Sequence, residues 1–265
     1  MKFKIYQIDA FAERLFEGNP AAVIPLEAWL PEPFMQAIAQ ENNLSETAFF
    51  VPLGDGYQIR WFTPNKEVRL CGHATLASAH VLFEHLGYTK NGILFESLSG
   101  QLLVSKADNF LTLNFPAQPP QACETPELLV LALGREPTVC LTDEDYVAVF
   151  DSEEDILDLE PNHELLKQLD RRGVIVTAKS TSFDFVSRFF VPKFGILEDP
   201  VTGSAHTKLA PYWAGVLGKT KLRAKQVSQR GGKLLCELKG DRVLISGRAV
   251  SYSVGDISIP DGELT

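Results

Sequence analysis

One short pattern occurs twice in the sequence, and this repetition constrains the fold more than any other feature. Residues 60–64 (RWFTP) precede residues 71–73 (CGH), and residues 188–192 (RFFVP) precede residues 202–204 (TGS). The arginine lies 12 residues before the glycine in the first copy and 15 in the second, and a further glycine follows 15 residues later in both. Three matches in the same order indicate a duplicated strand, loop and helix.

Hydrophobic periodicity predicts the elements around the two copies. Strands are expected at residues 2–11, 21–25, 47–52 and 57–62, and helices at 33–43, 72–87 and 204–218. The helix of the first copy has no charged residue from His73 to Phe83, which is typical of a buried helix. The second carries Lys208 and also Pro211, which would cost about 3 kcal/mol or force a kink. The sequence therefore predicts two related domains, each with a sheet around a largely buried helix.

The domain boundary is predicted where prolines cluster. Residues 116–126 contain four prolines and few apolar residues. We expect an N-terminal domain at 1–117, a C-terminal domain at 118–248 and a terminal segment at 249–265 that returns to the first domain.

Composition narrows the class of function. The net charge is −9 and the pI is near 5.1, which argues against nucleic acid and anionic membrane surfaces as partners but permits a small anionic substrate. The first 20 residues resemble no signal peptide and no apolar run is long enough to span a bilayer, so a cytoplasmic protein is expected. The four cysteines form no CxxC pair, which favours free thiols over structural zinc.

The two glycine turns are candidate anion sites. A glycine at a helix start lets a ligand approach outward-pointing N–H groups, and the helix dipole favours negative charge there. Two such turns, at Gly72 and Gly203, would face each other across an interdomain cleft and bind a carboxylate.

Ionisable residues lie near both turns. Glu46 enters an apolar strand, where partial desolvation would raise its pKa and suit it to general acid or base catalysis. His73, Asp199 and Ser204 adjoin the turns. From the residues alone, other interpretations stay open: Glu46 as a surface or capping residue, His73 as an ordinary first-turn residue, Asp199 as a turn former, and Ser204 as an N-cap.

At these same residues the sequence resembles the phenazine-biosynthesis F family, within it the branch that includes the vertebrate MAWD-binding protein. The matching stretches run in family order along nearly the whole chain: 9–11 (DAF), 18–23 (GNPAAV), 43–49 (NLSETAF), 60–64 (RWFTP), 71–79 (CGHATLASA), 198–206 (EDPVTGSAH) and 230–232 (RGG). The resemblance implies an α+β, diaminopimelate-epimerase-like fold: two pseudo-equivalent domains, each a curved, mostly antiparallel sheet or barrel around a central helix.

The resemblance also implies an activity. In the family's characterised isomerase, the residue matching Glu46 is the acid/base group that moves a proton between carbons of a cyclic, carboxylate-bearing diene. Residues matching His73 and Asp199 assist, those matching Asn19 and Ser204 contact substrate, and N–H groups at Gly72 and Gly203 hold it. A homodimer that uses no metal, nucleotide or flavin is expected.

One departure bears on the reaction type. Related racemases use two facing cysteines, but here only Cys71 is present, and Pro200 is taken to occupy the second position. Two-cysteine racemisation is therefore disfavoured, and Cys71 is expected to lie at the edge of the site with an inert thiol. His80 and His85 are expected to be satisfied or surface residues, His163 to be exposed, and His206 to approach the second turn.

Two alternatives to isomerisation remain at the level of sequence. A protein of this fold could bind a ligand or another protein without catalysis. Lyase or dehydratase chemistry would use the same deprotonation and differ only in the leaving group.

Overall fold

The computed structural model describes residues 1–259 and has the predicted α+β fold. The described helices are α1 (Glu32–Asn42), α2 (Gly72–Glu84), α3 (Glu127–Leu133), α4 (Glu153–Leu157), α5 (His163–Leu166) and α6 (Gly203–Leu217). The strands are β1 (Lys2–Ala10), β2 (Asn19–Pro25), β3 (Glu46–Leu53), β4 (Gly56–Phe62), β5 (Glu67–Val68), β6 (Gly92–Ser97), β7 (Gly100–Ala107), β8 (Phe110–Pro116), β9 (Gln121–Ala122), β10 (Val139–Thr142), β11 (Tyr146–Phe150), β12 (Val174–Lys179), β13 (Phe185–Phe190), β14 (Lys221–Gln226), β15 (Gly232–Lys239), β16 (Arg242–Gly247) and β17 (Ala249–Ser258).

The described chain divides into two compact units. Unit 1 contains Met1–Asn114 and the chain from Ser246 onward, and unit 2 contains Phe115–Ile245. The segment predicted to return to the first domain, 249–265, forms β17 and pairs antiparallel with β1, while its residues 260–265 lie outside the described part of the chain. None of the helices within residues 1–259 is long and apolar enough to cross a membrane.

Unit 1 is a mostly antiparallel sheet around helix α2. The strand order is β17-β1-β2-β3-β4-β6-β7-β8, in which only the β2–β3 and β4–β6 pairs are parallel. Nine of the 13 residues of α2 are buried, including Leu76 and Val81, because the helix is apolar around most of its circumference. The predicted buried helix is confirmed.

Unit 2 repeats this arrangement around helix α6. The strand order is β9-β10-β11-β12-β13-β14-β15, with parallel pairing only at β11–β12 and β13–β14. Helix α6 continues through Pro211 and ends at Leu217. Gly218 caps it, with a φ of +65° in the left-handed conformation that glycine adopts freely. On the far face of the sheet, α3, α4 and α5 cover a second apolar cluster that includes Leu129, Ile156 and Leu166.

The predicted elements agree with the structure apart from their ends. Helix α2 ends at Glu84 rather than at Gly87, because the chain turns after His85 and Gly87 takes a φ of +69° beyond the helix. The strands predicted at 47–52 and 57–62 are present as β3 and β4, each slightly longer than expected.

Candidate functional site

The first residue of β3 and the first turn of α2 bring Glu46 and His73 together in unit 1. Glu46 Oε2 lies 3.2 Å from His73 Nε2, and the two side chains are 14% and 6% exposed. The glutamate therefore combines limited access to solvent with a direct imidazole contact. This pairing fits acid/base chemistry and does not fit a simple surface carboxylate.

Asn19 holds the other edge of the imidazole. Its Nδ2 lies 3.3 Å from His73 Nδ1, and the residue is fully buried at the start of β2. Gly18 allows this placement, since a Cβ there would lie 2.1 Å from the carbonyl oxygen of Ala10 and the φ of +70° suits glycine. An amide Nδ2 only donates, so Nδ1 accepts and the neutral ring carries its proton on Nε2, the nitrogen that lies 3.2 Å from Glu46 Oε2.

Burial sets the charge of this histidine. Desolvation lowers the pKa of His73 to about 3 from its ordinary 6.5, so the ring is neutral at neutral pH. The Glu46 contact is then a 3.2 Å approach between a carboxyl oxygen and a neutral imidazole rather than an ion pair.

Cys71 completes this cluster at the N-cap of α2. Its Sγ lies 3.5 Å from His73 Nδ1, and the residue is buried. The atoms of Glu46, Cys71 and His73 that could bind a metal all lie within 4.8 Å of one another. Carboxylate, thiolate and imidazole are ligand types that zinc accepts. Structural zinc usually takes four protein ligands, and within residues 1–259 this group offers three.

The matching turn in unit 2 is organised by Gln226. Its Oε1 accepts from Thr202 N–H at 2.9 Å, and its Nε2 donates to the carbonyl of Asp199 at 2.7 Å. The Thr202 hydroxyl donates to Asp199 Oδ2, and both residues are buried. Asp199 is thus part of an ordered turn at the start of α6.

A buried ionic network supports Ser204. Arg172 donates to Asp145 through Nε at 2.8 Å and Nη2 at 2.6 Å, and Nη2 also lies 3.3 Å from Ser204 Oγ. The fully buried Lys208 places Nζ 3.2 Å from Asp145. A guanidinium only donates, so the Ser204 oxygen accepts from it and the hydroxyl proton points elsewhere.

The other four histidines each form a hydrogen bond or a ring contact within the described residues. His80 and His85 each place Nε2 within 3.0 Å of Ser251 Oγ, as expected for satisfied side chains. His206 is fully buried, and its Nδ1 donates to the Thr202 carbonyl at 2.7 Å. The prediction for His163 is wrong: it is half-buried at the start of α5, with its ring 6.1 Å from that of Phe190.

The prediction that Pro200 matches Cys71 is also wrong. Cys71 is the N-cap of α2, and the N-cap of α6 is Thr202 rather than Pro200. The repeat is aligned by its helix starts, since Gly72 and Gly203 are the first helical residues. The second position still carries no thiol, so the argument against a two-cysteine reaction holds.

Sequence reasoning missed Arg172, Asp145 and Gln226. The one available signal was Lys208, a charge within an apolar helix. A lysine that is buried requires a carboxylate partner, so Lys208 indicated that a carboxylate existed but not which one.

Comparison with known proteins identifies the family. The phenazine biosynthesis-like protein family matches residues 8–255. The chain belongs to this family. It is 52% identical to an uncharacterized isomerase of Pseudomonas aeruginosa over 98% of this chain and 100% of that protein. It is 40% identical to the human phenazine biosynthesis-like domain-containing protein over 97% and 100% of the two chains. The resemblance predicted from sequence is confirmed.

Solved structures extend this result to the fold. A phenazine biosynthesis F family protein from Enterococcus faecalis superposes with a TM-score of 0.96 at 48% identity, covering 98% of this chain and 100% of that one. A probable proline racemase from Agrobacterium radiobacter superposes with a TM-score of 0.66 at 10% identity, covering 98% and 94% of the two chains. The phenazine biosynthesis-like family thus shares the fold of the racemases, and the predicted fold class is confirmed.

Proposed function

We propose that the protein is an isomerase that moves a proton within a small, carboxylate-bearing substrate, with Glu46 as the acid/base group. The observation that carries this proposal is the 3.2 Å contact between Glu46 Oε2 and Nε2 of a buried, neutral His73. The 52% identical relative named as an isomerase supports the reaction class.

The proposed reaction needs one carboxylate. Glu46 takes a proton from a carbon next to an unsaturated bond, the electron pair shifts along the conjugated system, and the protonated Glu46 returns the proton to another carbon on the same face. From its position 3.2 Å away, His73 is proposed to turn its Nε2–H toward Glu46 while Glu46 is ionised and so to orient the carboxylate. Asn19 keeps the imidazole in this tautomer.

The start of α2 suits the charge that develops on the substrate. The N-terminal N–H groups of this 13-residue helix and its dipole favour a carboxylate or an enolate-like oxygen near Gly72. The binding group is then supplied by the backbone, which explains how an acidic protein of net charge −9 can bind an anion.

For the residues of unit 2 we propose roles from the resemblance of residues 198–206 to the family. Asp199 is proposed to assist proton movement, and N–H groups at Gly203 and the Ser204 hydroxyl to bind substrate oxygens. The contact from Arg172 to Ser204 Oγ supports the last role, because it turns the hydroxyl proton away from the guanidinium and leaves it available as a donor.

We further propose a cytoplasmic homodimer that works without metal, nucleotide, flavin, nucleic acid or membrane. The acidic composition supports the part of this proposal that concerns nucleic acid and anionic lipid. Sedimentation of the purified protein tests the dimer, and a mass twice the 29.3 kDa of the chain is expected.

The test follows deuterium incorporation from D₂O into a panel of cyclic and unsaturated carboxylic acids. We expect at least one acid to exchange with wild type and Glu46→Gln to lose about 10²–10⁴-fold of the rate, the usual contribution of a positioned acid/base group. Glu41→Gln is the matched control, since Glu41 is exposed in α1 and undergoes the same chemical change.

Two results would contradict the proposal. Exchange that survives in Glu46→Gln would remove Glu46 from the acid/base role. Binding of an acid to wild type with no exchange of any acid would favour a ligand-binding protein of this fold.

A further inference from the structure

Two cysteines in unit 2 face each other across paired strands. Cys123 directly follows β9 and Cys140 lies in β10, which pairs antiparallel with β9. The Cys123 N–H donates to the carbonyl of Cys140 at 3.1 Å, and the two Sγ atoms lie 3.5 Å apart. This thiol pair lies outside the proposed proton-transfer machinery.

We propose that Cys123 and Cys140 form an oxidisable dithiol site that closes to a disulfide when the protein meets hydrogen peroxide. A disulfide has an S–S distance near 2.05 Å, so the sulfurs must approach by about 1.5 Å. Their backbones are already hydrogen-bonded at 3.1 Å, which holds the two residues beside each other.

The two thiols differ in a way that orders the reaction. Cys123 is partly exposed, whereas Cys140 is 5% exposed. Burial, followed by the neighbouring Cys123, raises the pKa of the Cys140 thiol to about 12, so Cys140 is almost entirely protonated at neutral pH. Cys123 is therefore the thiol that reacts first with the oxidant.

The chemistry balances with peroxide as the only oxidant. The Cys123 thiolate attacks one peroxide oxygen, an S–O bond forms, the O–O bond breaks and hydroxide leaves. The Cys140 sulfur then attacks the Cys123 sulfenic acid, the S–S bond forms, and water leaves with the oxygen and the Cys140 proton. Two thiols are oxidised and one peroxide is reduced to water.

The crosslink would act on a segment that contacts α6. Gln118 lies five residues before Cys123, and its N–H donates to the carbonyl of Thr207 at 3.0 Å. The Thr207 hydroxyl also donates to Gln118 Oε1 at 2.6 Å. A disulfide at Cys123 therefore fixes the far end of a segment that is already attached to α6.

The test is peptide mapping after treatment with excess hydrogen peroxide at neutral pH. Arg135 lies between the two cysteines, so trypsin places them in separate peptides that only a disulfide can join. We expect this crosslinked pair, and a fall in titratable thiols of the denatured protein from four to two. We also expect the Tm to rise by roughly 5 °C or more, reversibly with dithiothreitol, because the crosslink restricts the unfolded chain.

Variants separate this site from general oxidation. Cys123→Ser and Cys140→Ser should each lose the crosslink and the Tm rise, while Cys236→Ser, which changes a buried cysteine elsewhere in unit 2, should keep both. Retention of four thiols under excess peroxide would overturn the inference. So would oxidation of Cys123 to sulfinic acid without a crosslink, or a crosslink that contains Cys236.

Discussion

In unit 1, β3 pairs antiparallel with β4 and parallel with β2, and in unit 2, β12 pairs in the same two ways with β13 and β11. Both units also repeat one ion pair. Arg60 contacts Glu67 at 2.7 Å through Nε and stands over the Phe62 ring at 5.2 Å, while Arg188 contacts Glu198 at 2.8 Å and stands over Phe190 at 4.9 Å. The duplicated part is thus the scaffold and its arginine.

The strand registers show where the units differ. Thr47 pairs with Phe62 in unit 1, and Val174 pairs with the equivalent Phe190 in unit 2, so Thr47 and Val174 match. The residues just before them, Glu46 and Gly173, therefore also match. His73 and Ser204 are each the second residue of their helix, so they are equivalent positions in the repeat. Unit 1 therefore carries the acid/base pair at positions where unit 2 carries a glycine and a hydroxyl.

Unit 2 instead has charges where unit 1 has alanines. In the strand that pairs in parallel with β3 or β12, Asp145 on the N-terminal side of β11 occupies the position of Ala21 in β2. Lys208 and Ala77 each lie five residues after the glycine that begins their helix, so they also match. Asp145 and Lys208 are both fully buried. The difference places the Glu46–His73 contact in unit 1 alone, while the buried charges of unit 2 contact Arg172, which in turn donates to Ser204.

The largest effect on stability is expected from breaking the charge pair of unit 2. Asp145→Asn removes the buried and closest carboxylate of Lys208 and Arg172 and leaves them only the more distant, exposed Glu144, and loss of one partner of a buried pair costs about 3–5 kcal/mol. Urea unfolding measures the change. The exposed Asp143→Asn is the matched control and should change the free energy of unfolding by less than about 0.5 kcal/mol.

The network would have no structural role if Asp145→Asn behaved like Asp143→Asn. Adding Lys208→Met to Asp145→Asn sharpens the test, because it removes the uncompensated buried charge and should recover part of the lost stability.

A smaller effect is expected from placing a side chain where unit 2 lacks the counterpart of Glu46. A Cβ at Gly173 would lie 2.6 Å from Val191 Cγ1 and 2.7 Å from the Phe190 carbonyl oxygen. Gly173→Ala should therefore destabilise the protein by about 1–3 kcal/mol. At Gly215, within α6, a Cβ meets no heavy atom within 4 Å, so Gly215→Ala should stabilise by about 0.5–1 kcal/mol. Equal effects of the two substitutions would show that close packing does not explain Gly173.

The repeated pattern was enough to predict both central helices and the strands before them, because local periodicity and glycine turns determine these elements. It did not place Glu46 against His73, which requires the parallel β2–β3 register and the packing of α2. Glu46 was a candidate acid/base group from its place at the start of an apolar strand, whereas the role of Asn19 came from family resemblance alone, and the tautomer argument required atomic distances.

Other features depended on contacts between distant residues. Asp145 and Lys208 are 63 positions apart, and neither has a local signal that names its partner. The prediction of four free thiols is confirmed, yet the closeness of Cys123 and Cys140 follows only from pairing of β9 and β10. Thr202 rather than Pro200 matches Cys71, because both residues directly precede the repeated glycine at which the helix begins.

The most direct test of the proposed site is the protonation state of His73, measured by ¹⁵N NMR of the side chain across a pH titration. We expect a neutral ring with its proton on Nε2 and a pKa far below 6.5, toward about 3. Because the unfolded chain binds the proton more readily, this histidine's contribution to stability is complete above pH 6.5 and is lost as pH falls toward 3. A proton on Nδ1, or an imidazolium at pH 6, would contradict the neutral, Nε2-protonated His73 beside Glu46 from which the proposed function is argued.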